Sequence, residues 1–468
     1  MQGRKQKISG NTDNYLDNNR TASDEYQGVQ TYIGIVENHL TEVLITHDDL
    51  LEQILSPANL NRAYKQVISN RGSGGIDGMQ TDELLLWLHL HQEELKEQLL
   101  QGRYKPNPVR RVEIPKDNGS KRQLGIPTVV DRLVQQSISQ ILTPIYEREF
   151  SCTSYGFRPN RSSHDALKQS LVYANAGYRY VIDLDLEKFF DTVNHSRLIQ
   201  LLGTRIKDGR VISLIHKYLT AGVRIFGHNE PSKEGVPQGG PLSPLLSNIM
   251  LNELDKELEN RGHPFVRYAD DCLIFCKSRR AAERTKDSII RYIEEVLYLR
   301  VNRDKTQVGY IGRIKFLGYG FYCDKTGELR LSVHPKSYYK FRSRLKILTG
   351  RSNGMGYEKR KTTLRLYITG WLEYFKLADM KSHLQRIDEW YRRRLRMCIW
   401  KCWKRARTRF KNLQRCGIDK NKAWEWANTR KGYWHIADSF ILHRALPNDV
   451  LRRAKYPFII DCYRKVVS

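Results

Sequence analysis

Residues 265 to 277, Phe-Val-Arg-Tyr-Ala-Asp-Asp-Cys-Leu-Ile-Phe-Cys-Lys, set two short apolar, β-branched and aromatic runs on either side of a turn with two adjacent carboxylates. The pattern predicts a β-hairpin with acid at its tip. Turns of this length favour Gly or Asn, so Ala269-Asp270 is a choice that local backbone preference alone would not make. Acids beside a buried apolar strand stay ionised only if a cation or hydrogen-bond donors compensate them. Magnesium meets that need with one or two carboxylates plus substrate phosphates, and two such ions can stabilise the attacking and leaving oxygens of an in-line displacement. The tetrapeptide alone is equally an ordinary polar turn, because short motifs recur by chance.

With 468 residues the chain is too long for one compact core, and two or three domains are expected. A net charge of +28 costs self-repulsion that a polyanionic partner would neutralise, which makes nucleic acid the leading partner. No apolar run approaches a spanning helix and no signal-peptide core follows Met1, so a soluble, cytoplasmic protein without a membrane partner is expected. Eight cysteines without a Cys-x-x-Cys pair give neither a disulfide framework nor a zinc module. Cys272, Cys276, Cys398 and Cys402 read as core thiols.

Residues 1–47 read as a polar arm. Helical spacing from Asp48 is broken at Ser56-Pro57 and ends at Gly72-Ser73-Gly74-Gly75, and a helix-loop-helix unit runs from Asp82 to Gly102. Residues 109 to 126 predict two strands joined by Asp117-Asn118-Gly119. Their Lys116, Lys121 and Arg122 read either as a solvated charge run or as a clamp for a triphosphate. Tyr155 to Ser163 predicts a loop whose arginines and hydroxyls suit a phosphate backbone, then a helix capped by Ser162 or Ser163. Residues 180 to 186 predict a strand that puts Asp183 and Asp185 on one face, followed at once by Phe189 and Phe190. Gly235 to Pro244 is a turn-rich loop in which Gln238 can meet a substrate edge, ahead of an apolar helix from about 244 to 260.

From Pro335 the chain turns to helices studded with Arg and Lys. Tyr391 to Lys411 holds ten basic residues and no acid, with Trp400 and Trp403 among them, beside an apolar seam through Leu384, Ile387, Tyr391, Leu395, Cys398 and Cys402. One side of that helix is expected to pack while the other stays cationic and faces a nucleic-acid duplex.

In order, the strand with Asp185, Pro237-Gln238-Gly239 and Tyr268-Ala269-Asp270-Asp271 resemble the palm of reverse transcriptases, with the Lys116 to Arg122 hairpin as fingers. Gly74-Gly75-Ile76-Asp77-Gly78, Tyr155-Gly156-Phe157-Arg158-Pro159, Phe189-Phe190-Asp191, Gln238 to Pro244 and Phe316-Leu317-Gly318-Tyr319 narrow the resemblance to group II intron-encoded proteins. Residues from about 335 to 415, with Gly370-Trp371-Leu372-Glu373-Tyr374-Phe375, are similar to that family's thumb, or maturase domain.

The resemblance implies an α+β right-hand polymerase. Fingers and palm, with an antiparallel palm sheet, occupy 48–330, and the α-helical thumb and maturase domain occupies 331–415. A basic, aromatic segment at 416–468 is open to DNA binding. It also implies that Asp185, Asp270 and Asp271 hold two magnesium ions, one assisting the primer 3′-hydroxyl and the other bridging the triphosphate. Lys116 and Arg122 would hold that triphosphate, Gln238 would line the pocket, and Phe189 or Phe190 would exclude a 2′-hydroxyl. Asp183 ranks below the other acids as a ligand. Partners would be group II intron RNA, an RNA template/DNA primer duplex, target DNA and dNTPs, in a bacterial cytoplasm. Gln123 stands where the family usually has proline, and the Cys and His cluster of an HNH nuclease is missing, which implies endonuclease-lacking mobility. The alternatives are an RNA-binding splicing cofactor with an idle polymerase site and a domesticated reverse transcriptase in defence or repair.

Overall fold

The computed structural model describes residues 49–115, 119, 121–225 and 227–467; the expected arm at 1–47, Lys116, Asp117 and Asn118 lie outside the described residues. Ser56-Pro57 separates helix Leu50–Leu55 from helix Pro57–Ser69, with Ser56 capping the second. The expected helix-loop-helix at 82–102 is instead one helix, Leu84–Leu100, entered through the short 3-10 turn Thr81–Glu83. No Gly or Pro lies inside that stretch to break it.

The fingers carry a four-stranded sheet. Strands β1 (Val109–Pro115) and β2 (Lys121–Ile126) form the expected antiparallel hairpin, with Arg110 opposite Ile126 and Pro115 opposite Lys121. After β3 (Tyr180–Leu184) in the palm, β4 (Val223–Ile225) returns to lie parallel to β1, and β5 (His228–Glu230) completes the order β2-β1-β4-β5. Helix Val129–Glu147 supports this sheet from a buried polar node. There the Asp131 carboxylate accepts from the Tyr104 hydroxyl at 2.7 Å and the Thr128 hydroxyl at 2.6 Å.

The palm sheet combines β3 with β6 (Phe265–Tyr268), β7 (Asp271–Cys276) and β8 (Gln307–Tyr310), antiparallel throughout in the order β6-β7-β3-β8. Ile182, Leu184, Phe265, Cys272 and Ile274 face a core built with helices Val129–Glu147, Ser243–Asn260 and Arg279–Glu295. Val181, Val266, Leu273 and Phe275 face a second core under helix Ser163–Asn175. Burial on both faces explains why β7 reads as an unbroken apolar run instead of alternating.

The second core continues through β9 (Lys315–Phe316), β10 (Tyr319–Cys323) and β11 (Leu329–Val333) into helices Pro335–Leu348, Tyr357–Tyr374 and Lys381–Cys402. The Gly370 to Phe375 segment packs within the thumb and fastens it to the palm: Trp371 stacks on Phe341 of the thumb with centroids 4.1 Å apart, and the Tyr374 hydroxyl donates to Leu317 O at 2.9 Å. Ile418, Trp426, Leu442, Leu451 and Phe458 belong to the same core, and residue 330 lies inside β11.

Tyr391 to Lys411 keeps the expected split between a packed seam and a cationic side: Lys404, Arg405, Arg407 and Lys411 are exposed, and of its ten basic residues only Arg396 is buried. Trp400 and Trp403 are 1% and 8% exposed, and the chain breaks before helix Ala406–Arg415. Arg396 is buried, donating to Leu446 O at 3.0 Å and to Asn448 Oδ1 at 3.0 Å, and Arg394 donates to Thr349 Oγ1 at 2.6 Å. Arg396 ties the thumb to the C-terminal segment, and Arg394 ties two thumb helices together. Among the described residues no helix is long and apolar enough to cross a membrane.

Candidate active site

Strand β3 stops at Leu184, one residue short of Asp185, because the chain there is taken over by the loop ahead of β8. Asp185 N–H donates to Thr306 Oγ1 at 3.2 Å, and its carbonyl accepts from Asn302 N–H at 2.9 Å. The register that sets Leu184 opposite Cys272 brings Asp185 level with Asp271, the first residue of β7. Residues opposite each other in an antiparallel pair point to the same face, and Asp183 shares that face two residues earlier. Asp270 is the second residue of the turn between Tyr268 and Asp271. The first is Ala269, at φ +58°, a left-handed conformation that costs an L-residue about 1–2 kcal/mol.

The acids sense one another. Protein packed around the Asp271 carboxyl, although one edge of the residue is open to solvent, and then the charges of Asp270, Asp183 and Asp185 raise it to about 7, with Lys315 opposing. Burial first, then Asp185, raises Asp183 as well, while Gln307 Nε2, 3.3 Å from Asp183 Oδ2, counters the shift. Lys305 Nζ stands 3.5 Å from both carboxylate oxygens of Asp185.

This donor set fits a hard divalent cation: oxygen ligands only, mutually repelling, and half-open to solvent. Among the described residues no three His, Cys, Asp or Glu side chains close up into a ready-made metal cage. Magnesium does not require one, since it keeps waters and binds through one or two carboxylates together with phosphates.

Of the expected nucleotide contacts, Arg122 and Gln238 are brought together: Arg122 Nε donates to Gln238 Oε1 at 3.0 Å. The loop carrying Gln238 is pinned on both sides. Gly125 N–H donates to Gln238 O at 2.7 Å, and Val236 N–H donates to Phe190 O at 2.6 Å. A Cβ on Gly239, at φ +116°, would lie 2.9 Å from Gly125 O, so only glycine fits that approach of palm to fingers. Phe189 and Phe190 are each 3% exposed in the short helix Phe189–Thr192, their rings edge to face at 5.2 Å. Both belong to the core, and neither shows more than an edge.

The Tyr155 to Ser163 loop differs from its phosphate-binding expectation. Arg158 is 2% exposed, paired with Glu147 at 2.7 Å and donating to Ser154 O at 2.8 Å, and Arg161 donates to Cys152 O at 2.5 Å. Its guanidinium groups brace the loop. Ser162 caps helix Ser163–Asn175 through a reciprocal pair with Asp165. Lys305, Gln307 and Arg267 also touch the acidic turn or its neighbours, and sequence reasoning singled out none of them. Arg267, a charge inside an apolar strand, was the one signal available.

The description "Reverse transcriptase (RNA-dependent DNA polymerase)" matches residues 114–321, and "Group II intron, maturase-specific domain" matches 339–417. Protein YkfC of Escherichia coli (strain K12) is 36% identical over 325 residues, 60% of this chain and 85% of that protein. Group II intron-encoded protein LtrA of Lactococcus lactis subsp. cremoris is 30% identical over 356 residues, 60% of this chain and 58% of that protein. The putative COX1/OXI3 intron 2 protein of Saccharomyces cerevisiae is 35% identical over 349 residues, 61% of this chain and 40% of that protein. The chain therefore spans most of the first relative but only about half the length of the other two. With an antiparallel palm that ends in acids, a helical thumb behind it and these matches in the same order, the chain belongs to the group II intron-encoded reverse transcriptases that carry a maturase domain.

Proposed function

We propose that this protein binds the RNA of a group II intron, assists its splicing, and copies that RNA into DNA during intron mobility. The observation that carries the polymerase half is the register that sets Leu184 opposite Cys272, which brings Asp185 at the end of β3 level with Asp271, next to Asp270 at the tip of the β6–β7 hairpin. Asp185, Asp270 and Asp271 would hold two magnesium ions, which supply charge neutralisation for the primer 3′-oxygen and the leaving pyrophosphate. The chain's own residues do the rest. Arg122 and Lys116 bind the dNTP phosphates, Gln238 lines the pocket, and Phe189 or Phe190 sits under the sugar and excludes a 2′-hydroxyl.

The RNA template/DNA primer duplex would lie between fingers and thumb, and intron RNA would bind the cationic outer surface with strong salt dependence. Residues 416–468 would meet target DNA through exposed Trp424 and Phe440, at 61% and 67%, among Lys420, Arg430, Lys431 and Arg444. The protein would work in the cytoplasm, on nucleic acid.

Primer extension on an RNA template tests the reading against that of a splicing cofactor without polymerase activity. Wild type should extend a DNA primer in Mg²⁺, and Asp270→Ala should lose extension while still binding intron RNA. A wild type that binds RNA and promotes splicing but adds no nucleotide would establish the cofactor reading instead.

A further inference from the structure

Beneath the acidic turn lies a buried charge network that the nucleotide chemistry does not itself use. Arg267, in β6, and Asp255, on helix Ser243–Asn260, are both 0% exposed. Arg267 Nε donates to Asp255 Oδ1 at 2.7 Å and Nη2 to Asp255 Oδ2 at 2.5 Å, while Nη1 reaches Asn248 Oδ1 and Ala269 O, each at 3.0 Å. The last contact matters most, because Ala269 is the strained residue that launches Asp270 and Asp271.

We propose that Arg267 is a positioning residue for the acids, a planar fork that fixes the Ala269 carbonyl and so sets where Asp270 and Asp271 stand. The proposal rests on the reading of those acids as metal-holding groups. Four further contacts surround the same turn. Asn248 Nδ2 donates to Gly156 O at 2.9 Å. A Cβ on Gly156 would lie 2.1 Å from Ala269 N, so the backbone there presses directly on the turn. Along the outer edge of β6, Arg267 N–H donates to Thr153 O at 3.0 Å and Tyr155 N–H to Arg267 O at 2.8 Å.

Helix Ser243–Asn260 joins the turn to the nucleotide side. Ser243, at its start, donates to Pro237 O at 2.6 Å beside Gln238, and Asn248 and Asp255, further along, hold Arg267. One rigid element thus carries the pocket loop at one end and grips the turn with its side. A buried ion pair is often no more stabilising than apolar residues of the same size, so its presence here is better explained by direction than by stability. Lysine would keep the charge but lacks the fork needed to reach Asp255, Asn248 and Ala269 at once.

A double-mutant cycle on the full chain, bound to an RNA template and DNA primer, tests this with Arg267→Lys, Ala269→Gly and the pair. In folded Arg267→Lys, kcat should fall about tenfold or more, as expected for a small misplacement of reacting groups, and Mn²⁺ binding followed by electron paramagnetic resonance should weaken. The KM for dNTP and the primer-template Kd should stay within about twofold of wild type. Ala269→Gly should lower kcat at least about threefold more when combined with Arg267→Lys than alone, because only there is the turn released. Unchanged kcat and Mn²⁺ affinity, or effects that simply multiply, would overturn the proposal. If Arg267→Lys fails to fold, Asn248→Ala carries the same cycle, since it leaves the ion pair intact. A wild type that extends no primer would overturn the polymerase reading alone, because the Mn²⁺ shift would still report on the fork.

Discussion

Arg122, on the second strand of the fingers hairpin, donates from Nε to Gln238 Oε1 at 3.0 Å, joining fingers and palm across 116 residues of sequence. Neither side chain stands alone. Arg122→Ala and Gln238→Ala should each raise the KM for dNTP about tenfold or more, and the double variant should cost less than the product of the two, as contacting residues do. Primer-template affinity should change little. Steady-state kinetics on one homopolymer template checks all three statements.

The Asp271 carboxyl, held up at about 7, gives the metal-free protein a defined pH response. An acid with a folded pKa above its unfolded value binds more protons folded than unfolded in between, so its contribution to stability is complete below about 4 and is lost as pH rises through about 7. Without divalent ions the melting temperature should therefore fall from pH 5 to pH 8 by more in wild type than in Asp271→Asn. Mg²⁺ should remove most of that difference by favouring the charged form. Calorimetry at fixed ionic strength, with and without Mg²⁺, reads the sign.

Arg158 is an internal brace. Arg158→Met should destabilise the protein by about 3 kcal/mol, because Glu147 and two backbone carbonyls lose a buried donor. The salt dependence of RNA binding by the folded variant should keep its wild-type slope, since no phosphate contact is lost. A shallower slope would return Arg158 to the nucleic-acid surface.

Gly156→Ala should displace the acidic turn, because its Cβ would overlap Ala269 N. Primer extension should drop by about 10²-fold or more in protein that still unfolds cooperatively and binds RNA, as expected when a reacting group moves by about 1 Å. Extension at the wild-type rate would show that the loop yields and the turn does not.

The turn that carries Asp270 and Asp271 was readable from sequence because it breaks local rules. Ala269 occupies a left-handed turn position that ordinary turn chemistry assigns to glycine, and Asp183 and Asp185 interrupt an apolar strand. The hairpins, the break at Ser56-Pro57 and the Ser162 cap were readable for the same local reasons. What sequence could not supply was the fate of single arginines. Arg158 and Arg396 look like any other cation until Glu147 and Leu446 O arrive from elsewhere in the fold, and Arg267, marked out only by its apolar strand, shows no partner until Asp255 does. The charge pattern of Tyr391 to Lys411 implied a cationic face, which stays open at Lys404, Arg405, Arg407 and Lys411, but it did not imply that Arg396 turns inward under the C-terminal helices. Periodicity reports which face is apolar and says nothing of what later packs on the polar one.

Mn²⁺ counted by electron paramagnetic resonance in the complex of protein, RNA template, DNA primer and non-hydrolysable dNTP bears most directly on the convergence of Asp185, Asp270 and Asp271. Wild type should bind two ions at the protein, and Asp185→Asn, Asp270→Asn or Asp271→Asn should each lose at least one while primer-template affinity persists. Two ions retained in Asp185→Asn, or none in wild type, would contradict it.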